Sequence, residues 1–264
     1  MFEQSSSHSF FRVRESAFWA TAVEQTLRQY DLSLRDSSVA GCLFSDQFEA
    51  EGFIDQPFCS LVWSEAARIS DDPLLGLRMH RVFSPTAFNT LALAASASPS
   101  IQDALNILTR YFPIVSTQLN LQVDTQEESV HLLLKPIGDT HPQHMASIVG
   151  YLARYFTRID LDADGLLYAI ELADHHDLHA ESCQRLLKNQ QVRFANRYSL
   201  SLKRSLLDKS LPTSSTLLLP KLTDILQHML ATLPSSTLSE QVKRRIHLLL
   251  GSGDITAERV AGPM

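Results

Sequence analysis

Between residues 100 and 112 the chain reads SIQDALNILTRYF, with Ile101, Ala104, Leu105, Leu108 and Phe112 at i, i+3, i+4, i+7 and i+11. That spacing lays the apolar side chains along one stripe of an α-helix. Ser100 and Asp103 add a capping-box pattern at its start. The same period predicts a helix over about 15–30, with Phe18, Ala22, Leu27 and Tyr30 on one stripe, and helical stretches near 39–50 and 57–70. DDP at 71–73 caps a short helix carrying Leu74, Leu75 and Leu77, and Pro85 opens another through TAFNTLALAASA. A long helix is predicted over 142–159, with Met145, Ile148, Val149, Leu152, Phe156 and Ile159 on its apolar side, and a short one over HAESCQRLLK. Over 217–233, Leu222, Ile225, Leu226, Met229 and Leu233 form one more stripe.

After Pro113 the period changes to two. Leu119, Leu121 and Val123 alternate with polar residues, as do Val130, Leu132 and Leu134 beyond DTQEES, which predicts a hairpin with one buried face. QVRF and YSLSLKR read as two further strands. LLYAIEL is too short for its period to decide between a strand and a buried helical turn. The fold class that results is α+β: an N-terminal group of helices, an antiparallel sheet of about five strands with helices inserted, then a helix and a C-terminal helical segment.

Composition narrows the function classes. The chain has 264 residues, 44% hydrophobic and 20% charged, as in a globular protein with a full core. A net charge of −6 argues against a nucleic-acid surface spread over the whole molecule. Nine glycines are too few for an all-β chain of many tight turns. Three widely spaced cysteines, Cys42, Cys59 and Cys183, suit a reduced, cytoplasmic setting. No apolar run approaches the roughly 18 residues of a membrane span. No nucleophile–base motif or phosphate loop appears, so an enzyme is not expected.

Several motifs, in order, resemble one family. DDPLLGLRMHRVFSPTAFNTLALAASASPSIQDALNILTRYF is similar to the arabinose-binding-like effector domain of AraC-type transcriptional regulators. The family's D-P-x-x-G-L-R appears as Asp72, Pro73, Gly76, Leu77 and Arg78, and its T-L-x-E-A-L-x-x-L-x-R-Y as Ser100, Ile101, Asp103, Ala104, Leu105, Leu108, Arg110 and Tyr111. The middle F-G-x-L-G-x-A motif departs, with Asn89 after Phe88 and Ala92 at the second glycine. QRLLKNQQVRFANRYSLSLKRSLLDKSLP resembles the family's helix, V-R-F strand and L-D-x-P-L segment, without the glycine before V-R-F. VKRRIHLLLGSGDITAERVA looks like the opening of the family's DNA-binding domain. The recognition helix of such a helix-turn-helix unit, which reads the major groove, would lie beyond Met264.

The Ser-rich N-terminus over 1–14 reads as loose, and the resemblance implies an effector-binding and dimerisation domain over 15–233, a linker over 234–240 and an incomplete DNA-binding domain over 241–264. It further implies a small-molecule effector, a homodimer, and DNA and RNA polymerase as partners of the full-length protein, with no specific DNA binding by this chain and no cofactor. Candidate ligand contacts are Phe88, Asn89, Tyr111, Tyr151 and Tyr155, which offer aromatic surface or a polar handle in apolar surroundings. Lys243, Arg244 and Arg245 are candidate DNA-backbone contacts. Leu222, Ile225, Leu226, Met229 and Leu233 are a candidate dimer seam as much as ordinary core.

Two metal patterns compete with this reading. DLDADGLLYAIE, residues 160–171, matches the calcium-loop pattern with Asp160, Asp162, Asp164, Gly165 and Glu171. A turn between a helix and a strand wants Asp and Gly for its own backbone, however, and a strand over LLYAIEL points Glu171 away from the aspartates. Within DHHDLHAESC, His175, His179 and Cys183 would share a helical face as zinc ligands, although the paired short spacings of structural zinc sites are missing.

Overall fold

The computed structural model describes residues 14–45, 53–79, 89–160, 164–174, 179–188 and 191–233. Two strands near the N-terminus, β1 (Arg14–Ser16) and β2 (Phe53–Asp55), pair antiparallel with Glu15 opposite Ile54. The main sheet holds β3 (Leu119–Thr125), β4 (Ser129–Pro136), β5 (Leu167–Ala173), β6 (Gln191–Ala195) and β7 (Tyr198–Lys203) in the order β3-β4-β7-β5-β6. The helices are α1 (Phe18–Arg28), α2 (Ala40–Leu43), α3 (Gln56–Ser70), α4 (Leu75–Arg78), α5 (Asn89–Ser96), α6 (Ile101–Tyr111), α7 (Pro142–Ile159), α8 (Ala180–Leu186) and α9 (Leu218–Thr232).

The α+β class is as expected, and the sheet differs from a purely antiparallel one in a single pairing. β5 and β6 run parallel, because α8 carries the chain back between them. LYAIELA is a strand, with Ile170 and Leu172 buried. The predicted helix over 15–30 is shorter and its buried face is shifted. Trp19, Ala22, Val23, Thr26 and Leu27 face inward, whereas Tyr30 is exposed. Of the helical stretch expected near 39–50, α2 lies among the described residues, and residues 46–50 lie outside them.

α7 packs on the inner face of the sheet, where Leu132, Ile170, Leu200 and Leu202 are buried. Its N-terminal half lies against α4, and that contact explains the D-P-x-x-G-L-R residues physically. Asp72 accepts from the Leu74 backbone N–H at 2.9 Å and from Arg78 Nε at 2.6 Å. Gly76 donates its N–H to Gln143 Oε1 at 2.7 Å, and a Cβ there would run into the Gln143 carbonyl. At Gly150 a Cβ would come within 3.0 Å of the Leu77 carbonyl oxygen. α5 and α6 form a helical hairpin, and α9 packs along α5 and against the 3-10 turn that follows α6.

Candidate functional site

Three features compete as sites: the tyrosines of the helical layer, the outer face of α9, and a buried polar cluster at the N-terminal strand. Tyr111 ends α6 with no exposure, because its ring falls on the helix's core stripe beside Leu108, and its hydroxyl has no hydrogen-bond partner among the described residues. Tyr151 and Tyr155 lie one turn apart on α7, both more than nine-tenths buried. Burial raises both phenols well above their ordinary range. Tyr155 approaches Ser96, at the α5–α6 end of the hairpin, without a hydrogen bond of good geometry to its hydroxyl among the described residues. An unsatisfied buried hydroxyl costs about 1–3 kcal/mol, so Tyr111 and Tyr155 are polar handles without an internal use among the described residues. The structure does not gather all the sequence candidates at one point. Tyr111 and Tyr155 are at different ends of the helical layer, Asn89 opens α5, and Phe88 lies outside the described residues.

α9 carries two apolar faces. Leu226 and Leu233 are buried, and Leu219, Leu222 and Leu230 are packed partly on the core. Leu218 and Ile225 stand 52% and 48% exposed, and Leu217 is more exposed still. Leu218, Leu222, Ile225 and Met229 follow one another at i, i+4, i+7 and i+11, a second stripe beside the first. The seam expected from sequence therefore splits: Leu226 and Leu233 belong to this chain's own core, while Ile225 faces outward.

The calcium-like segment is organised around its own backbone. Asp160 Oδ1 accepts from the Asp164 N–H at 3.0 Å, and Oδ2 from the Gly165 and Leu166 N–H groups, both at 2.9 Å. Gly165 has φ +74°, the left-handed turn that glycine supplies without strain. Asp164 is paired with Lys209 at 2.8 Å. Glu171 is on β5, bonded to Arg197 Nε at 2.5 Å and Ser199 Oγ at 2.8 Å. The Arg197 contact draws its carboxyl below the ordinary range, against the opposing effect of burial. Asp162 lies outside the described residues. So do His175, His176, Lys243, Arg244 and Arg245. His179 precedes α8, and Cys183 is buried within it, its thiol pushed up to about 11 by burial.

The buried cluster was not anticipated from sequence. Glu15, with no exposure, accepts from the Ser16 N–H at 2.7 Å and from Ser116 Oγ at 2.6 Å, and its Oε2 is 3.4 Å from His144 Nε2. Trp63 Nε1 donates to His144 Nδ1 at 3.1 Å. An indole can only donate, so Nδ1 must accept and the ring proton sits on Nε2, facing Glu15 and Ser116. Ser116 Oγ also accepts from the Gln118 N–H at 3.2 Å. Trp19 closes the site, edge-on to His144 with centroids 4.5 Å apart and its Nε1 donating to the Val115 carbonyl at 2.8 Å. His144 had one sequence signal, a polar residue on the apolar register of α7 with Ile148 and Leu152. Glu15 had none.

Comparison with known proteins follows the fold. The sequence pattern described as the arabinose-binding domain of AraC transcription regulators, N-terminal, matches residues 43–211. The chain is similar in structure to the crystal structure of transcriptional regulator CdpR from Pseudomonas aeruginosa, with a TM-score of 0.57 and 13% identity over 92% of this chain and 74% of that one. At that identity the likeness shows the fold alone. No curated protein matches the sequence.

Proposed function

The chain belongs to the family of N-terminal arabinose-binding domains of AraC transcription regulators, and from that premise we propose that it senses a small organic molecule and passes the signal on through α9. The family points to a ligand-binding regulatory domain rather than an enzyme. Among the described residues no helix is long and apolar enough to cross a membrane, in keeping with a regulator that works in the cytoplasm. The observation that carries the reading is that two enclosed tyrosine hydroxyls, those of Tyr111 and Tyr155, have no hydrogen-bond partner among the described residues of the helical layer. Ligand sites in proteins are mostly apolar, with a few polar groups that fix orientation.

α9 supplies the route outward. It contacts α5 and the turn after Tyr111, so a ligand that separates these elements favours one seating of α9 over another and shifts their populations. The outward stripe of Leu218, Ile225 and Met229 supports a homodimer in which α9 meets its counterpart, with DNA and RNA polymerase as partners of the regulator as a whole. The test is native mass spectrometry of the purified protein against a panel of small metabolites. Retention of one chemical class at one molecule per chain supports the reading. Retention of none, together with a monomeric mass at all concentrations, sinks it.

A further inference from the structure

The groups hydrogen-bonded to Glu15 are donors: Ser116 Oγ–H and the Ser16 N–H reach its carboxylate. His144 Nε2–H donates to Ser116 Oγ at 3.3 Å and lies 3.4 Å from Glu15 Oε2, and the Trp63 bond fixes the histidine in the donating tautomer. Beside them lies Gln118, 1% exposed, whose Nε2 is a donor with no hydrogen-bond partner among the described residues. Gln118 and Glu15 both border the Cys59 thiol, which burial raises first and the Glu15 charge raises further, against the opposing Gln118 and Trp63 donors; a thiol sulfur is only a weak acceptor for Gln118. The cluster therefore holds one more buried donor than Glu15 and the surrounding chain satisfy. That is the donor surplus of a carboxylate receptor rather than of a closed structural pair.

The element that fills it is the least self-sufficient part of the described fold. Among the described residues β1 has three, pairs only with the three-residue β2, and stands apart from the main sheet. A two-stranded ribbon of that length has little stability of its own. Its anchor is the Glu15 side chain, which reaches Ser116 across 101 residues of sequence. The receiving groups belong to sturdier elements: His144 to the 18-residue α7, and Ser116 and Gln118 to the segment leading into β3.

We infer that His144, Ser116 and Gln118 form an internal carboxylate-recognition site that Glu15 fills in cis, so that β1 is a plug which a small carboxylic acid can replace. This deepens the ligand-sensing reading and rests on it: the effector class is a carboxylate, and its arrival frees the N-terminal strand. Displacement trades one carboxylate for another against Ser116 and His144, the Ser16 N–H leaving with β1, and Gln118 Nε2 offers the incoming carboxylate a donor in its place. Loss of β1 in turn uncovers Trp19 and α1, which gives the ligand-bound state a distinct N-terminal arrangement.

The test is chemical rescue. Glu15→Ala empties the site, and sodium formate or acetate should raise its melting midpoint by about 5 °C or more at a hundredfold excess over Kd, with sodium chloride at equal ionic strength without effect. The rescue should shrink when Ser116→Ala is added. Glu15→Gln keeps the volume filled and should gain nothing from formate. Where Glu15→Ala does not fold in chloride, recovery of its native circular dichroism in formate supports the site, and failure to recover overturns it. Indifference of Glu15→Ala to both carboxylates, or equal gains by Glu15→Gln, also overturns it. Such a failure removes the carboxylate class and leaves the ligand-sensing reading to be judged by the metabolite panel on the unaltered protein.

Discussion

Trp63 Nε1 donates to His144 Nδ1 across 3.1 Å, and that bond decides which nitrogen of a wholly buried ring carries its proton. With Nδ1 occupied as an acceptor, Nε2 is left to donate toward Glu15 and Ser116. Trp63→Phe removes the donor and leaves a buried acceptor unsatisfied. Urea unfolding should show a loss of about 1–3 kcal/mol, with part of the native tryptophan signal of Trp19 altered. A variant as stable as the unaltered protein would mean that water or another side chain takes up Nδ1 and that the tautomer is not fixed from this side.

Glu24 makes acid sensitivity local. Burial raises its carboxyl, but the Leu34 N–H, Arg28 and Ser33 together outweigh burial and leave it below the ordinary range. A carboxyl lowered in the folded state stabilises above its unfolded pKa, and that stabilisation is lost as pH falls through the folded value. Glu24→Gln should therefore cost about 1–3 kcal/mol at pH 7, where the charged form would be bonded. The difference from the unaltered protein should narrow below about pH 4. Paired urea titrations at pH 7 and pH 3 measure it, and a gap that widens in acid would contradict the sign.

Asp160 serves three backbone N–H groups of the 164–166 turn. Asp160→Ala should lower stability by about 1–2 kcal/mol, as the loss of a helix cap does. Millimolar calcium or EDTA should leave the melting midpoint of the unaltered protein in place. A midpoint that falls in EDTA and returns with calcium would make residues 160–171 a metal site after all.

The two faces of α9 separate packing from association. Leu226→Ala, in the core, should cost about 2–5 kcal/mol. Ile225→Asp, half exposed, should leave unfolding nearly unchanged while shifting the sedimentation mass toward that of one chain. An unshifted mass would leave the outward stripe without its proposed partner.

Long periodic elements were legible in the sequence, because their own spacing determines them. Ser100 caps α6 as its pattern predicts, accepting from the Asp103 N–H at 3.1 Å, and α7 spans Pro142–Ile159 as its apolar side foretells. The hairpin pairs Leu121 with Leu134 and Val123 with Leu132 as alternation predicts, but the buried face is complete only on β4, since Val123 on the edge strand β3 is exposed. The short elements were not legible. β1 and β2 are three residues each, too brief for a period to register, and the strand nature of β5 depends on β7 and β6 beside it. The buried cluster was hidden for another reason. Glu15 looks like a surface charge in a polar terminus until Ser116 and His144, more than 100 residues away, are brought to it. Tyr111 and Tyr155 stand out by residue type alone, but only the fold reveals that their hydroxyls are enclosed and have no hydrogen-bond partner among the described residues.

Those hydroxyls offer the most direct test of the central claim. Tyr111→Phe and Tyr155→Phe should be measured beside the unaltered protein by thermal unfolding, with and without the small molecule that the metabolite panel selects. Removing a buried hydroxyl with no partner should leave the free protein as stable or slightly more stable. At least one variant should lose the ligand's stabilisation, which is about 2.7 kcal/mol at a hundredfold excess over Kd. Loss of stability in both free variants, with the ligand's effect intact, would mean that the hydroxyls serve the fold and that the sensing site lies elsewhere.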